Sequence, residues 1–348
     1  MNLKKTIRQN NAVDGTRTVR YEGGEMPVGE LRKELDEVIT KDLEITGLEF
    51  AHVSFHAKKI LPECVFVGFK DKLKHLRSLR IIGCGLSGVE MNKLAEGIDN
   101  TCHLTELVLE GNLLRSSDWI VPLITKSNIK TLSIQNCYFN DHLQLAADLA
   151  MTENRLEKLF LSVRSLDSVF FAAFGKTLKA FTSLRCLHLG SESIYAWQIG
   201  RDFVEAVRGS RLEEVGLGGS CFFEQLTKAM CQRPDDFAIK RLYTAHCVAV
   251  DNVVNFLNKY DKIKSIVNIH VCGGCYSGKM DHLVDAIQCH PSLEQYLVNC
   301  RANTYFRKTQ RKGVQCLLMV LRARKFGNSP LSLLPMELLR YRLALFLY

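Results

Sequence analysis

The feature that most constrains this chain is a motif that returns nine times at nearly constant intervals. Aligned on LxxLxL it reads LRSLRIIGC from Leu76, LTELVLEGN from Leu104, IKTLSIQNC from Ile129, LEKLFLSVR from Leu156 and LRCLHLGSE from Leu184. It continues as LEEVGLGGS from Leu212, IKRLYTAHC from Ile239, IVNIHVCGG from Ile266 and LEQYLVNCR from Leu293. The steps between starts are 28, 25, 27, 28, 28, 27, 27 and 27 residues, and a weaker copy, LEFAHVSFH from Leu48, precedes the first by 28. Self-similarity at this period marks a unit too small to bury its own apolar face, which neighbouring copies must cover.

Within each copy the first half alternates apolar and variable residues, as a strand with one buried face does. The second half changes to helical spacing. SGVEMNKLAEGI from Ser87 gathers Val89, Leu94, Ala95 and Ile98 near one face, and DNVVNFLNKY from Asp251 gathers Val253, Val254 and Leu257. Ser87, Asp118, Asp141 and Asp251 stand where N-caps are expected. The pattern predicts an inner parallel sheet, outer helices, and Leu107, Leu132, Leu159 and Leu187 buried at equivalent places in successive rungs.

In these residues the chain resembles the leucine-rich repeat family, in its ribonuclease-inhibitor-like and cysteine-containing subfamilies, over roughly 43–303. Asn112 fills the ninth position once and Cys84, Cys137 and Cys247 fill it elsewhere, whereas Arg164, Glu192, Ser220, Gly274 and Arg301 depart from it. The resemblance implies an α/β leucine-rich repeat solenoid, a horseshoe with an inner parallel β-sheet and outer α-helices. The expected organisation is an N-terminal segment and cap at 1–42, the repeat domain at 43–303, and a basic and hydrophobic helical tail at 304–348.

Charge and cysteines restrict the function classes. Of the net +9, residues 301–348 carry ten basic residues and one acid, so the remaining chain is balanced. A basic groove for nucleic acid is therefore not expected over most of the molecule. Thirteen scattered cysteines in 348 residues suit reduced thiols, and the start MNLKKTIRQNNAVDG has no apolar run of a secretory signal. A cytoplasmic or nuclear protein is expected, and membrane association is not.

One string looks like chemistry: HVCGGC at 270–275. In the alignment above His270 is the fifth residue of its unit and Cys272 the seventh, both directed outward from the sheet, with Gly274 at the turn. A redox pair needs its first cysteine near a helix N-terminus, where the thiolate is favoured. Zinc could draw on His270, Cys272, Cys275, Cys289 and His290, but the last two lie at the end of an outer helix, about 10 Å of sheet-to-helix thickness away. GLGGS at 216–220 and CGLSG at 84–88 are strand and turn of a repeat, and no GxSxG, HExxH or phosphate-loop string occurs. No catalytic residue, metal or cofactor is expected.

What remains is surface. With the leucines directed into the core, the third, fifth and seventh positions form the concave face. The partner-binding candidates there are Phe160, His188, Arg241, Tyr243, His270 and Leu297, because aromatic and arginine anchors dominate protein interfaces. Tyr243, His270 and Leu297 are expected to form one contiguous patch beside Arg241, in preference to the small polar stretch of Thr131, Ser133 and Gln135. In the tail, LPMELLRYRLALFL resembles the opening helix of an F-box, which implies recruitment of a Skp-type ubiquitin-ligase adaptor through Leu334, Pro335, Leu338 and Leu339, with Glu337 also matching and Arg342 departing. The same helix could instead close the solenoid or attach to an anionic membrane. The chain thus reads as a non-catalytic protein-binding scaffold, in its sharper form a substrate receptor of a ubiquitin ligase. The other readings are a GTPase-activating regulator, which needs a rim arginine such as Arg115, and a basic-tailed membrane adaptor. Replacing Cys272 and Cys275 together by Ser is expected to leave metal content, measured by elemental analysis of the purified protein, unchanged; stoichiometric zinc removed by the double change would overturn the assignment of HVCGGC to an ordinary rung.

Overall fold

The strands predicted from the alternating half-units form, and they pair in parallel, in the computed structural model. The structure describes residues 4–9, 17–24, 33, 37, 45–54, 76–98, 103–152, 155–163, 168–178, 181–190, 199–217, 220–244, 247–272, 279–301 and 317–318. The chain divides into two compact units, Met1–Leu212 and Glu213–Tyr348. In the first, β1 (Lys4–Gln9) is antiparallel to β2 (Arg17–Glu22). From β2 onward β3 (Ile45–Ala51), β4 (Ser78–Ile82), β5 (Glu106–Glu110), β6 (Thr131–Cys137), β7 (Lys158–Val163) and β8 (Cys186–Gly190) follow in parallel. Its helices are α1 (Gly88–Gly97), α2 (Ile120–Lys126), α3 (His142–Ala150), α4 (Ser168–Leu178) and α5 (Ile199–Val207). The second unit has β9 (Glu214–Leu217), β10 (Arg241–Thr244), β11 (Cys247–Val248), β12 (Ser265–Cys272) and β13 (Gln295–Arg301), with α6 (Ser220–Gln232), α7 (Val250–Lys259) and α8 (Lys279–Cys289) between them.

Leucine at the fourth position forms the spine of the first unit. Leu79, Leu107, Leu132, Leu159 and Leu187 stand opposite one another in successive strands, each at most 1% exposed. The sixth position runs beside it as Ile81, Leu109, Ile134, Leu161 and Leu189, all buried. Each such side chain contributes about 2 kcal/mol through burial. The helices close the other side: Met91, Leu94 and Ala95 of α1 and Val253, Phe256 and Leu257 of α7 are buried. Val89 does not join them. It is 61% exposed, because the buried stripe of the helix runs through Gly88, Met91, Leu94 and Ala95 and Val89 points to the opposite side.

Helix starts follow the predicted caps in part. Asp141 caps α3 by accepting from the Gln144 amide at 2.9 Å, and at Ser87 the Glu90 carboxylate accepts from the Ser87 amide at 2.6 Å, as in a capping box. Asp118 instead accepts from the Ser116 hydroxyl, and Trp119 precedes α2; Asp251 lies inside the first turn of α7, behind Ala249.

Register corrects the alignment in two places. In most rungs the second-position carbonyl accepts from the second and third amides of the next unit, as Arg77 does from Thr105 and Glu106 at 2.9 and 3.0 Å. In the second unit that carbonyl is Lys240, and its donors are Lys264 and Ser265 at 2.7 and 3.1 Å. The rung therefore begins at Ile263, not Ile266. Apolar residues at both the first and fourth positions let the motif slip by three, and Ile263, Ile266 and Ile269 fit either setting. In this setting the sixth position of the motif falls on Asn268, and a bulge in β12 shifts the register so that Ile269 stands opposite Val298. The copy read from Leu48 is likewise three residues late, since Leu48 pairs with Leu79 and Arg77 donates to Thr46 at 2.7 Å. One more rung precedes it. β2, within the segment expected as a cap, buries Val19 and Tyr21 against Leu48 and Phe50. At Leu317–Leu318, inside the tail expected to be helical, the chain forms a two-residue strand, β14, antiparallel to β13.

Two positions turn the chain from strand to helix. The eighth is left-handed in four successive rungs, through His52, Gly83, Gly111 and Asn136 with φ of 53–62°, which suits glycine and asparagine and is costlier for histidine. The ninth caps the turn from inside. Asn112 donates through Nδ2 to Ile81 O at 2.9 Å and Glu110 O at 3.0 Å, and its Oδ1 accepts from the Cys84 and Leu86 amides at 3.2 Å. Cys84 and Cys137 direct their thiols at the corresponding carbonyls, Phe50 and Ile82 at 3.6 and 3.4 Å and Leu109 and Gln135 at 3.7 and 3.4 Å. Cysteine thus supplies the donor half of the asparagine in a smaller, less polar package, which accounts for both types at this position.

Two outcomes follow from the core. Leu132→Ala is expected to lower the unfolding free energy in urea by about 3 kcal/mol, and Leu132→Asp by more because the charge is buried unpaired; tolerance of Asp within about 1 kcal/mol would refute the spine. Burial pushes the Cys84 and Cys137 thiols up to about 11. Because the native state then holds protons that the unfolded state has released, stability is expected to fall as pH rises from the ordinary thiol range towards that value. At pH 8 iodoacetamide is expected to label exposed Cys289 well before buried Cys84 and Cys137, read by peptide mass spectrometry.

Candidate protein-binding surface

The sheet face away from the helices carries the third, fifth and seventh positions. In the first unit the fifth column runs Arg20, Glu49, Arg80, Val108, Ser133, Phe160 and His188 across neighbouring strands. Its start is ionic: Arg20 bonds Glu49 at 2.6 Å, Arg80 approaches the same carboxylate at 3.9 Å, and Glu49 itself is 8% exposed. The hydrogen bond that Arg20 donates to the Glu22 carboxylate holds its guanidinium above the ordinary pKa. Arg20 and Glu49 were not among the expected candidates; the alternating TVRYE of β2 is the signal that places Arg20 outward.

The middle of the column is compact and the end is open. Val108 and Ser133 are buried, whereas Phe160 and His188 are half-buried with ring centroids 4.8 Å apart and tilted by 58°. Exposed Lys158 and half-buried Gln135 and Ser162 flank them, and Gln135 is anchored to the Ser133 hydroxyl at 3.0 Å. Cys186, in the third position beside His188, is buried. The sequence thus located two adjacent aromatic residues on one strand-to-strand step, and the structure brings them into contact.

In the second unit the expected patch breaks up. Arg241 is exposed and bonds Glu214 at 2.8 Å, and half-buried Tyr243 follows two residues on. The residue opposite Tyr243 is Val267, not His270. With the rung starting at Ile263, His270 is its eighth residue and stands opposite Cys247 and Asn299, while Leu297 falls at the bulge. Tyr243, His270 and Leu297 therefore do not stand opposite one another, because the slip of the rung start moved His270 three places along the motif.

The other candidates resolve individually. Within HVCGGC, His270 and Cys272 belong to β12 and Cys272 stands opposite Arg301; 273–278 lie outside the described residues. His290 is 2% exposed, and its Nδ1 accepts from the Ser292 and Leu293 amides at 3.2 and 3.1 Å. Its Nε2 therefore carries the proton and donates to Tyr260 O at 2.8 Å. Both nitrogens tie one rung to the next, and neither points a lone pair at an open site. Arg115 is exposed on the turn after β5 with φ 58°. Leu334, Pro335, Leu338 and Leu339 lie outside the described residues, so the tail's role is untouched by the structure. Among the described residues no helix is long and apolar enough to cross a membrane.

No family model matches the chain, and no curated protein matches it. Among solved structures it is similar to that of the Rad7 and Elc1 complex in yeast, at 16% identity over 78% of this chain and 70% of that chain, with a TM-score of 0.48. It is also similar to an internalin, InlF, of Listeria monocytogenes, at 11% identity over 82% of each chain, with a TM-score of 0.36. The assignment to a leucine-rich repeat solenoid rests on the ladder of registers and the recurring core positions, independently of these likenesses.

Proposed function

We propose that the chain is a non-catalytic scaffold that holds a protein partner against the exposed face of its sheet. The observation that carries the reading is the Phe160–His188 pair, two rings in contact and only half-covered at the end of a column whose preceding residues, Val108 and Ser133, are buried. Apolar ring area left in water beside a cation, Lys158, is the composition of an interface anchor. Arg241 and Tyr243 offer the same residue types in the second unit. The register correction moves the favoured anchor from the C-terminal end of the face to Phe160 and His188; His270 and Leu297 become secondary.

The sharper form is a substrate receptor of a ubiquitin ligase, in which the sheet face selects the target and Leu334, Pro335, Leu338 and Leu339 dock a Skp-type adaptor. Its support is the LPMELL string alone. Affinity purification of the full chain, of Phe160→Ala with His188→Ala, and of a chain lacking 328–348 separates the two levels. The ring variants are expected to lose a defined partner while keeping any adaptor, and the truncation to do the reverse, with affinity for the partner weakened about tenfold or more for each anchor. Retention of every partner by the ring variants, with unfolding temperature unchanged, would refute the sheet-face reading.

A further inference from the structure

A second surface lies on the edge where strands turn into helices. Among the described residues the exposed large apolar side chains are Val89, Leu113, Tyr138, Leu143, Met151 and Val169, and all but Met151 lie on this edge, in four consecutive rungs of the first unit. Leu113 and Tyr138 hold the same place in their units, two residues past the left-handed turn, while their successors Leu114 and Phe139 are buried. Leu143 and Val169 line an open depression with Asn140, Asp141 and His142. Isolated exposed hydrophobes are ordinary, but a row of them on one rim is the mark of a contact surface.

Arg115 sits in that row and is held there. It adopts φ 58°, costly for a residue with a long side chain, and the backbone on both sides is fixed: its amide donates to Tyr138 O at 2.7 Å and its carbonyl accepts from Asn140 at 2.8 Å. No hydrogen bond or ion pair of its guanidinium to another described residue occurs. The nearby carboxylates are already engaged, Asp118 by the Ser116 hydroxyl and by Asn92 Nδ2 at 3.2 Å, Asp141 by the Gln144 amide. Among the described residues the edge thus offers one rigidly based cation amid apolar side chains and no available anion. Four rungs at strand spacing extend for about 15 Å.

We infer that this edge is a docking surface for a short segment of a partner protein that carries a carboxylate among large apolar residues. The chain's own tail is a poor occupant, since residues 301–348 hold ten basic residues and one acid and would face Arg115 with like charge. The surface is separate from the Phe160–His188 face and does not depend on it.

The test is selection of a random 12-residue peptide display library on the full chain, with affinities of the enriched peptides measured by fluorescence anisotropy. Enriched sequences are expected to combine Asp or Glu with Leu, Phe or Trp, and to bind Arg115→Gly and Tyr138→Ala about tenfold or more weakly, while binding Phe160→Ala unchanged. Arg115→Gly suits the left-handed backbone, so its unfolding temperature is expected to hold or rise, which separates lost contact from lost fold. Peptides that ignore Arg115→Gly, or that respond only to Phe160→Ala, overturn the inference and leave the sheet-face reading standing. Absence of enrichment over the library overturns it as well.

Discussion

One recurring hydrogen-bond arrangement sets everything else in this molecule. A second-position carbonyl receives two amides from the next rung, and that pairing decides which residue of the following strand stands opposite which. Because side chains alternate with period two, and the motif tolerates a slip of three, this setting determines which residues enter the core and which reach the open face. Leu132 lies between Leu107 and Leu159, and Ser133 between Val108 and Phe160, for the same reason.

The turns show how little chemistry each rung needs. At the ninth position asparagine donates one N–H to each of two carbonyls and adds two acceptances, whereas cysteine directs its single S–H towards the corresponding pair. A buried thiol with weak donors costs less to desolvate than an unsatisfied amide. At Cys84 and Cys137 the chain therefore dispenses with the asparagine while the eighth residue, Gly83 or Asn136, keeps its left-handed backbone. The histidine end of a rung works alike. His290 is used as a backbone clasp, in a place where its neighbours in sequence, Cys289 and the HVCGGC cysteines, invite a metal reading.

Function is carried by what this framework leaves uncovered. The sheet face begins with the Arg20–Glu49–Arg80 group, closes over Val108 and Ser133, and opens again at Phe160 and His188. The strand-to-helix edge presents a different chemistry, apolar residues around one fixed arginine. On the proposed readings, these two unlike surfaces would each hold a separate protein segment.

The sequence by itself determined the repeat, its α/β class, the leucine spine and the outward placement of Phe160 and His188, because period and alternation are local properties that burial enforces in every rung. It also argued against reading HVCGGC as a redox pair, through its expected position outside a helix start. Only the tertiary structure decided the register at Ile263 and Ile45, since first- and fourth-position apolar residues are interchangeable to the eye and only pairing with Lys240 and Leu79 tells them apart. It alone revealed β2 as a further rung, because two buried residues, Val19 and Tyr21, are too few to announce a repeat. The left-handed Arg115 and the row of apolar residues beside it were likewise invisible in one dimension: each is unremarkable in its own unit, and they become one surface only when the rungs stack.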